Sequence, residues 1–134
     1  MSFLDDLFSL DGKVAVAIGA GGVLAGAMAD ALGAAGARVA VLDLDGGAAD
    51  ARAEAIRKAA GVEAFGMAID ATSEDDLRKA LGQVLSLWGR VDILLNNAGL
   101  MATPAGQTKD GFETQIGTNH FGHFVLTEEL LPLL

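Results

Sequence analysis

Residues 13–43 read KVAVAIGAGGVLAGAMADALGAAGARVAVLD, and this stretch decides the fold of the chain. An apolar run, Val14–Ile18, predicts a buried strand, and a glycine cluster follows it. The alanine-rich stretch Val23–Ala35 then predicts a helix. A second apolar run, Val39–Leu42, predicts another strand and ends directly before Asp43.

The order of strand, glycine turn, helix, strand and terminal acid is typical of a dinucleotide-binding βαβ unit. Gly19, Gly21 and Gly22 allow positive φ angles and let backbone amides approach a pyrophosphate. The partial positive charge of the helix N-terminus favours the same diphosphate. Asp43 follows the turn by about 20 residues, which suits contact with an adenosine ribose. The alternative is that the glycines only permit close helix–sheet packing in another kind of α/β protein.

Length and composition indicate a single domain, residues 1–134, with a layered α/β core. The formal net charge of −9 argues against nucleic acid and anionic membranes as partners. The chain has no cysteine, which excludes disulfides and thiolate chemistry, and no apolar run approaches the roughly 20 residues of a membrane span. The acidic N-terminus lacks the basic start of a signal peptide, so a cytoplasmic location is expected.

The following residues continue the alternation of helices and strands. Ala48–Ala60 is rich in helix formers, and Glu63–Ile69 predicts a third strand. Ser73 is a good N-cap for a helix that extends to Trp88. Val91–Leu95 predicts a fourth strand. Strands that alternate with helices indicate a three-layer α/β/α, Rossmann-like parallel sheet, with strand order 3-2-1-4 and right-handed crossovers.

The two ends of the chain carry weaker signals. At the N-terminus, Ser2–Leu10 predicts a short amphipathic turn that packs its apolar side chains against the body of the protein; these are Phe3, Leu4, Leu7 and Phe8. After a loop at Leu100–Lys109, Asp110–Glu113 resembles a capping box and predicts the start of a long final helix. Pro132 is expected to end or kink that helix.

Four local motifs occur in an order that resembles the short-chain dehydrogenase/reductase family. They are the glycine turn Gly19–Gly22, Asp70 after the third strand, the N-N-A-G element Asn96–Gly99 after the fourth, and the TNHFGHF segment Thr118–Phe124. The resemblance covers essentially the whole chain. It implies the N-terminal, NAD-binding portion of an oxidoreductase of this family, truncated after the fourth helix.

The resemblance also implies a role for individual residues. The cofactor-binding residues would be Gly19, Gly21, Gly22, Val23, Leu24, Asp43, Asp70, Ala71, Asn97, Ala98 and Gly99. A carboxylate at Asp43 would bind the ribose hydroxyls and repel a 2′-phosphate, which favours NAD over NADP. Asp70 would accept from the adenine amino group, or it only closes a strand. Asn119 would be the catalytic asparagine that holds a water, or a helix residue bonded to a neighbouring carbonyl.

The chain departs from the family pattern at several positions. Ile18 stands where the family usually has threonine, and Ala25 replaces the last glycine of the turn. The family's proton donor is a tyrosine paired with a lysine four residues away, whereas this chain has no tyrosine and its last lysine is Lys109. The chain alone is therefore expected to be inactive. His120 and His123 have a helical spacing, but without an evident third ligand no metal site is expected.

Three functional hypotheses remain open at this point. The chain is an NAD-binding portion that is inactive alone, an enzyme portion completed by a partner chain, or an engineered or recombined half-fold with only a structural role. Because the predicted fourth strand would be an apolar sheet edge, homo-oligomers are expected through Val91–Leu95 or Phe121–Leu134.

Overall fold

The computed structural model describes residues 3–134 and contains one four-stranded parallel sheet. The strands are β1 (Val14–Ile18), β2 (Arg38–Asp43), β3 (Ala64–Ala68) and β4 (Ile93–Asn96). The α-helices are α1 (Phe3–Phe8), α2 (Val23–Ala34), α3 (Gly46–Ala60), α4 (Glu74–Trp88), α5 (Thr114–Ile116) and α6 (His123–Leu130), and a π-helical segment, Gly117–Gly122, joins the last two. The strand order is β3-β2-β1-β4, so the predicted topology is confirmed.

The central strand β1 is buried along its whole length, as its uninterrupted apolar run predicts. It pairs in parallel with β2 on one side and with β4 on the other, and Ala17 aligns with both Val41 and Leu95. The carboxyl ends of three strands therefore meet at one edge of the sheet. A functional site in a sheet of this type lies at that edge, where the strand order reverses between β1 and β4.

Each face of the sheet has its own apolar cluster, which gives the three predicted layers. On one face, α2 and α3 contribute small side chains such as Ala25, Ala29 and Ala53. On the other face, α4 and α6 contribute larger ones, among them Leu77 and Leu126. Because alanine side chains are short, the first pair of helices packs close to the strands.

Helix ends follow local sequence signals in the middle of the chain. The side chain of Ser73 accepts a hydrogen bond from the backbone N–H of Asp76 and caps α4, as predicted. The carboxylate of Asp45 accepts from the N–H of Ala48 and caps α3 in the same way. Gly61 and Gly89 end α3 and α4 in the left-handed conformation.

The predicted capping box at Asp110 is wrong. Gly111 adopts a φ of +85°, and its N–H donates to the carbonyl of Thr108, so these residues form a turn. The helical segment begins three residues later, where the carboxylate of Glu113 accepts from the N–H groups of Gln115 and Ile116. These two hydrogen bonds lower the pKa of Glu113 below its usual value. The final helix is therefore shorter than the predicted one, and a π-helical segment interrupts it.

The N-terminal prediction is also wrong for the residues that the structure describes. Ser2 lies outside those residues, but α1 forms next to it and buries none of its side chains. Phe3 and Phe8 are 77% and 69% exposed.

At the other end of the chain, Leu126 and Leu130 of the final helix are fully buried, and α6 ends two residues before Pro132. No helix within residues 3–134 is long and apolar enough to cross a membrane.

Candidate functional site

A cavity of about 900 Å³ opens at the carboxyl ends of β1, β2 and β4. Its size falls in the range of small-molecule and cofactor sites. Ten of the residues predicted to bind a cofactor line it: Gly19, Gly22, Val23, Leu24, Asp43, Asp70, Ala71, Asn97, Ala98 and Gly99. Two predicted residues, Gly21 and Asn119, do not belong to the lining. The structure thus brings together residues that lie up to 80 positions apart in the sequence.

The turn after β1 needs glycine at its first position. Gly19 has a φ of +76°, and its N–H donates to the carbonyl of Leu42 at 2.7 Å. A Cβ atom at Gly19 would lie 2.7 Å from the Cα of Ala98, which is closer than real Cβ contacts. The glycine turn and the N-N-A-G element therefore touch through backbone atoms, and together they form the floor of the cavity.

The N-terminus of α2 faces this cavity without a side-chain cap. Its N-cap residue is Gly22, which has no side chain to accept from the first amides, whereas α3 and α4 are both capped by side chains. The first turn of a helix has N–H groups without intrahelical partners, and these bind anions. The side chains of Val23 and Leu24 are 89% and 64% exposed at this end of the helix.

Asp43 lies at the end of β2 with both carboxylate oxygens directed at backbone amides. Its Oδ2 accepts from the N–H of Gly21 at 2.9 Å, and its Oδ1 accepts from the N–H of Asp45 at 3.0 Å. Gly21 therefore does not face the cavity, but it holds the carboxylate that does. A Cβ atom at Gly21 would lie 3.0 Å from the Asp43 carboxyl carbon, so a side chain there would displace the carboxylate.

Asp70 lines the cavity beside Ala71, two residues after β3 ends at Ala68. Its Oδ1 accepts from both the N–H and the hydroxyl of Thr72, at 2.8 and 2.7 Å. This is an Asx-type turn, which supports the strand-closing alternative. A carboxylate oxygen has more than one lone pair, so the turn leaves acceptor capacity for an adenine amino group.

Asn119 makes two hydrogen bonds to one residue of the N-N-A-G loop. Its Oδ1 accepts from the N–H of Leu100 at 2.7 Å, and its Nδ2 donates to the carbonyl of Leu100 at 2.8 Å. Both ends of the amide are engaged by backbone, as the structural alternative for this residue expects. The water-holding role remains a prediction.

The structure adds residues to the cavity that the sequence patterns missed. They come from the turn and loop that lead into α5 and from the helical segment itself: Gln107, Thr108, Lys109, Thr114 and Thr118. An isolated antiparallel bridge between Gln107 and Glu113 closes this loop and brings it to the cavity wall. Among the described residues of the lining, Lys109 provides the positive charge, whereas Asp43, Asp45 and Asp70 are acidic. No periodic pattern marks the loop, so only a three-dimensional structure could reveal it.

The two histidines of the TNHFGHF segment do not converge. His120 contacts the ring of Phe121, with ring centroids 5.4 Å apart, whereas His123 points to the end of β4. Among residues 3–134, no three His, Asp or Glu side chains are arranged to hold a metal ion.

Comparisons with known proteins agree with this geometry. The family model described as short chain dehydrogenase matches residues 13–134. Retinol dehydrogenase 11 of Mus musculus is 38% identical over 126 residues, which are 93% of this chain and 40% of that protein. Retinol dehydrogenase 12 of Homo sapiens is 36% identical over the same shares of the two chains.

Solved structures show the same relationship. A 7α-hydroxysteroid dehydrogenase in complex with NADH and 7-oxo glycochenodeoxycholic acid superposes with a TM-score of 0.85 at 34% identity. The superposition covers 99% of this chain and 52% of that one. The chain thus spans about half the length of this solved relative and 40% of the curated relatives that it matches across 126 residues.

Proposed function

Because the chain belongs to the short-chain dehydrogenase family, we propose that its cavity binds NAD in preference to NADP. One observation carries the proposal: the carboxylate of Asp43, held by the N–H of Gly21, lies in the same cavity as the uncapped N-terminus of α2. An anion-binding helix end and a ribose-binding carboxylate are the two polar features that a dinucleotide requires.

The chemical character of the lining fits the parts of this cofactor. The free N–H groups at the start of α2 would face the diphosphate, and Asp43 would accept from the adenosine ribose hydroxyls. Ile69 and Ala71 are buried and apolar, and they offer a surface for the adenine ring. A bound nicotinamide would supply hydride chemistry, for which this chain provides the binding surface.

Preference for NAD follows from the charge around β2. A 2′-phosphate would meet the carboxylate of Asp43 and would lie near Asp45, a second acidic residue of the lining. Like charges that are brought together in a partly buried site raise the free energy of binding. Among the described residues of the lining, the basic one is Lys109, which comes from the loop before α5 and not from the end of β2.

We expect no catalysis by this chain alone. Reduction of a carbonyl needs a proton donor close to the oxygen. The 134 residues contain no tyrosine, and both amide ends of Asn119 are bonded to backbone. We expect these residues to bind the cofactor and to show no turnover with ordinary ketones or aldehydes. An engineered half-fold with only a structural role would instead show no binding of either dinucleotide.

We also propose self-association through the edge of the sheet. Within residues 3–134, β4 pairs with β1 on one side and with no strand on the other. Its apolar residues Ile93, Leu94 and Leu95 are only half-buried. An unpaired edge of this kind is a template for another strand. The exposed Phe124 and Leu131 extend the apolar surface along and beyond α6.

The proposed cofactor preference is tested by calorimetric titration of the full chain with NAD and with NADP. The expected result is measurable NAD binding that is at least several-fold tighter than NADP binding. Asp43→Ala should narrow or abolish the difference, whereas Asp50→Ala, at an exposed position on α3 outside the cavity, should leave it unchanged. Equal affinities for both dinucleotides in the unmodified chain would refute the proposed preference, and no binding of either would support the structural alternative.

A further inference from the structure

A chain of polar side-chain contacts joins α6 to the carboxyl end of β4. The Nε2 atom of His123 lies 2.6 Å from the carbonyl oxygen of Ala98, and its Nδ1 lies 3.2 Å from Oδ1 of Asn96. The Nδ2 of Asn96 donates to the hydroxyl of Thr127 at 3.0 Å, and that hydroxyl lies 2.7 Å from the carbonyl of His123. Three side chains thus bridge one turn of helix to one loop.

The positions of the hydrogens follow from which atoms are able to donate. A carbonyl oxygen only accepts, so the hydroxyl of Thr127 donates to the carbonyl of His123 and has no second proton to give. The amide of Asn96 must then donate to Thr127 through Nδ2, which fixes its Oδ1 toward the imidazole. The carbonyl of Ala98 also only accepts, so the imidazole donates to it through Nε2–H at the shorter of the two distances. A neutral ring with its proton on Nε2 has none on Nδ1, so the 3.2 Å approach of Nδ1 to Oδ1 of Asn96 is a polar contact and not a hydrogen bond in that form.

Ala98 is the point at which this bonding reaches the cavity. It lines the cavity, and its Cα is the atom that a side chain at Gly19 would strike. The next two residues, Gly99 and Leu100, are exposed, and the loop is next fixed at Leu100 by the amide of Asn119. The contact from His123 is therefore the side-chain hydrogen bond that fixes the first part of the loop against the glycine turn.

We propose that His123 is a positioning residue for the dinucleotide site, because its Nε2–H holds the carbonyl of Ala98 and with it the cavity floor. The cofactor does not touch the imidazole in this proposal, which rests on the proposed function. A loop held in its binding position before the ligand arrives saves the ordering cost that binding otherwise carries. His123 accordingly raises the affinity of the cavity for NAD through Ala98.

The test compares three variants of the full chain that remove or keep one ring nitrogen. His123→Phe keeps the ring and removes both nitrogens, His123→Asn keeps a donor near the Nδ1 position, and His123→Gln keeps a donor near the Nε2 position. In the absence of cofactor, the ¹³C carbonyl resonance of Ala98 and the hydrogen exchange of the Gly99 amide report the loop. His120→Gln is the matched control, because His120 is exposed and contacts Phe121 instead.

We expect His123→Phe and His123→Asn to shift the Ala98 carbonyl resonance and to speed hydrogen exchange at the Gly99 amide, and His123→Gln to keep both as they are in the unmodified chain. The same two variants should weaken NAD binding by about threefold to tenfold, the loss that one net hydrogen bond causes. An Ala98 resonance that is unchanged in His123→Phe, or an affinity for NAD that is as low in His123→Gln as in His123→Phe, would overturn the proposed role of His123. If the unmodified chain does not bind NAD, the proposed function fails and the cofactor part of this inference with it, while the Ala98 and Gly99 signals still decide whether His123 holds the loop.

Discussion

The backbone N–H of Gly21 donates a 2.9 Å hydrogen bond to Oδ2 of Asp43, 22 residues further along the chain. This bond joins the glycine turn after β1 to the acid at the end of β2. A side chain at Gly21 would collide with the same carboxylate and with the Cβ of Ala48. Gly21 therefore orients the carboxylate of Asp43 in two ways. Its N–H donates a hydrogen bond to the carboxylate, and the lack of a side chain leaves space for it.

Gly19→Ala should destabilise the protein and weaken NAD binding together. The new Cβ would occupy a backbone conformation with φ of +76° and would lie 2.7 Å from the Cα of Ala98. We expect a loss of about 1–3 kcal/mol in the free energy of unfolding, measured by urea titration. Gly82→Ala is the control, because nothing lies within 4 Å of its added Cβ inside α4. It should raise stability by up to about 1 kcal/mol. Similar effects of the two substitutions would contradict the described turn.

Val23→Ala should tighten the binding of NAD, and Val23→Gly should tighten it further. The valine side chain is 89% exposed at the first position of α2 and lines the cavity where a diphosphate would approach the helix amides. Removing the valine side chain would let a diphosphate come closer to those amides. In dinucleotide-binding turns, the second glycine allows this close approach. Calorimetric titration measures the change. Weaker binding by the alanine variant, with unchanged stability, would mean that the side chain assists the ligand.

Acid should weaken the fold partly through Asp92. Burial raises the pKa of this carboxyl, but hydrogen bonds from Arg90, the backbone N–H of Val14 and Lys13 lower it further, and the net pKa lies below its usual value. The stabilisation is therefore complete above the ordinary carboxyl pKa of about 4 and is lost as the pH falls through the lowered value. Asp92→Asn should flatten the decline in unfolding free energy between about pH 5 and pH 2. An equally steep decline in that variant would show that other carboxylates cause it.

Self-association should depend on apolar side chains near β4 and at the end of the chain. Light scattering of the unmodified chain is expected to show a dimer or larger species. Phe124→Glu or Leu131→Glu should shift it toward monomer, because both side chains are more than half exposed. Met28→Glu, at an exposed position on α2, is the control. A clean monomer at high concentration in the unmodified chain would contradict the prediction.

Much of the fold could be predicted because its signals are local. The bounds of β1 were predicted correctly, and the cap at Ser73 and the stop at Gly89 lie where their residue types indicate. Local signals failed at the start of the last helical segment, where both Asp110 and Glu113 are possible N-caps and the structure uses Glu113. Glu113 caps the helical segment because the bridge to Gln107 fixes its backbone, and that contact is not visible in the pattern around Asp110.

The candidate site likewise has residues that could be predicted from the sequence and residues that could not. The lining residues on strand ends and helix starts could be predicted, since parallel strands bring their carboxyl ends together. The contribution of Lys109 could not be predicted, because a loop without periodicity takes its position from tertiary contacts. The π-helical segment has a comparable origin. An added Cβ at Gly117 would lie 2.3 Å from the side chain of Thr108, and one at Gly122 would lie 2.2 Å from the carbonyl of Ala71. Both glycines thus permit a close packing of this segment that helix propensities do not reveal.

The most direct test of the central claim is to map NAD onto the isotopically labelled chain by chemical-shift perturbation. We expect the amide signals of Leu24, Ala71, Ala98 and Gly99 to change most during the titration, because these residues line the cavity. We also expect these changes to be much smaller in Asp43→Ala at the same NAD concentration. A spectrum that does not change at millimolar NAD, or changes confined to surfaces away from these residues, would contradict the account.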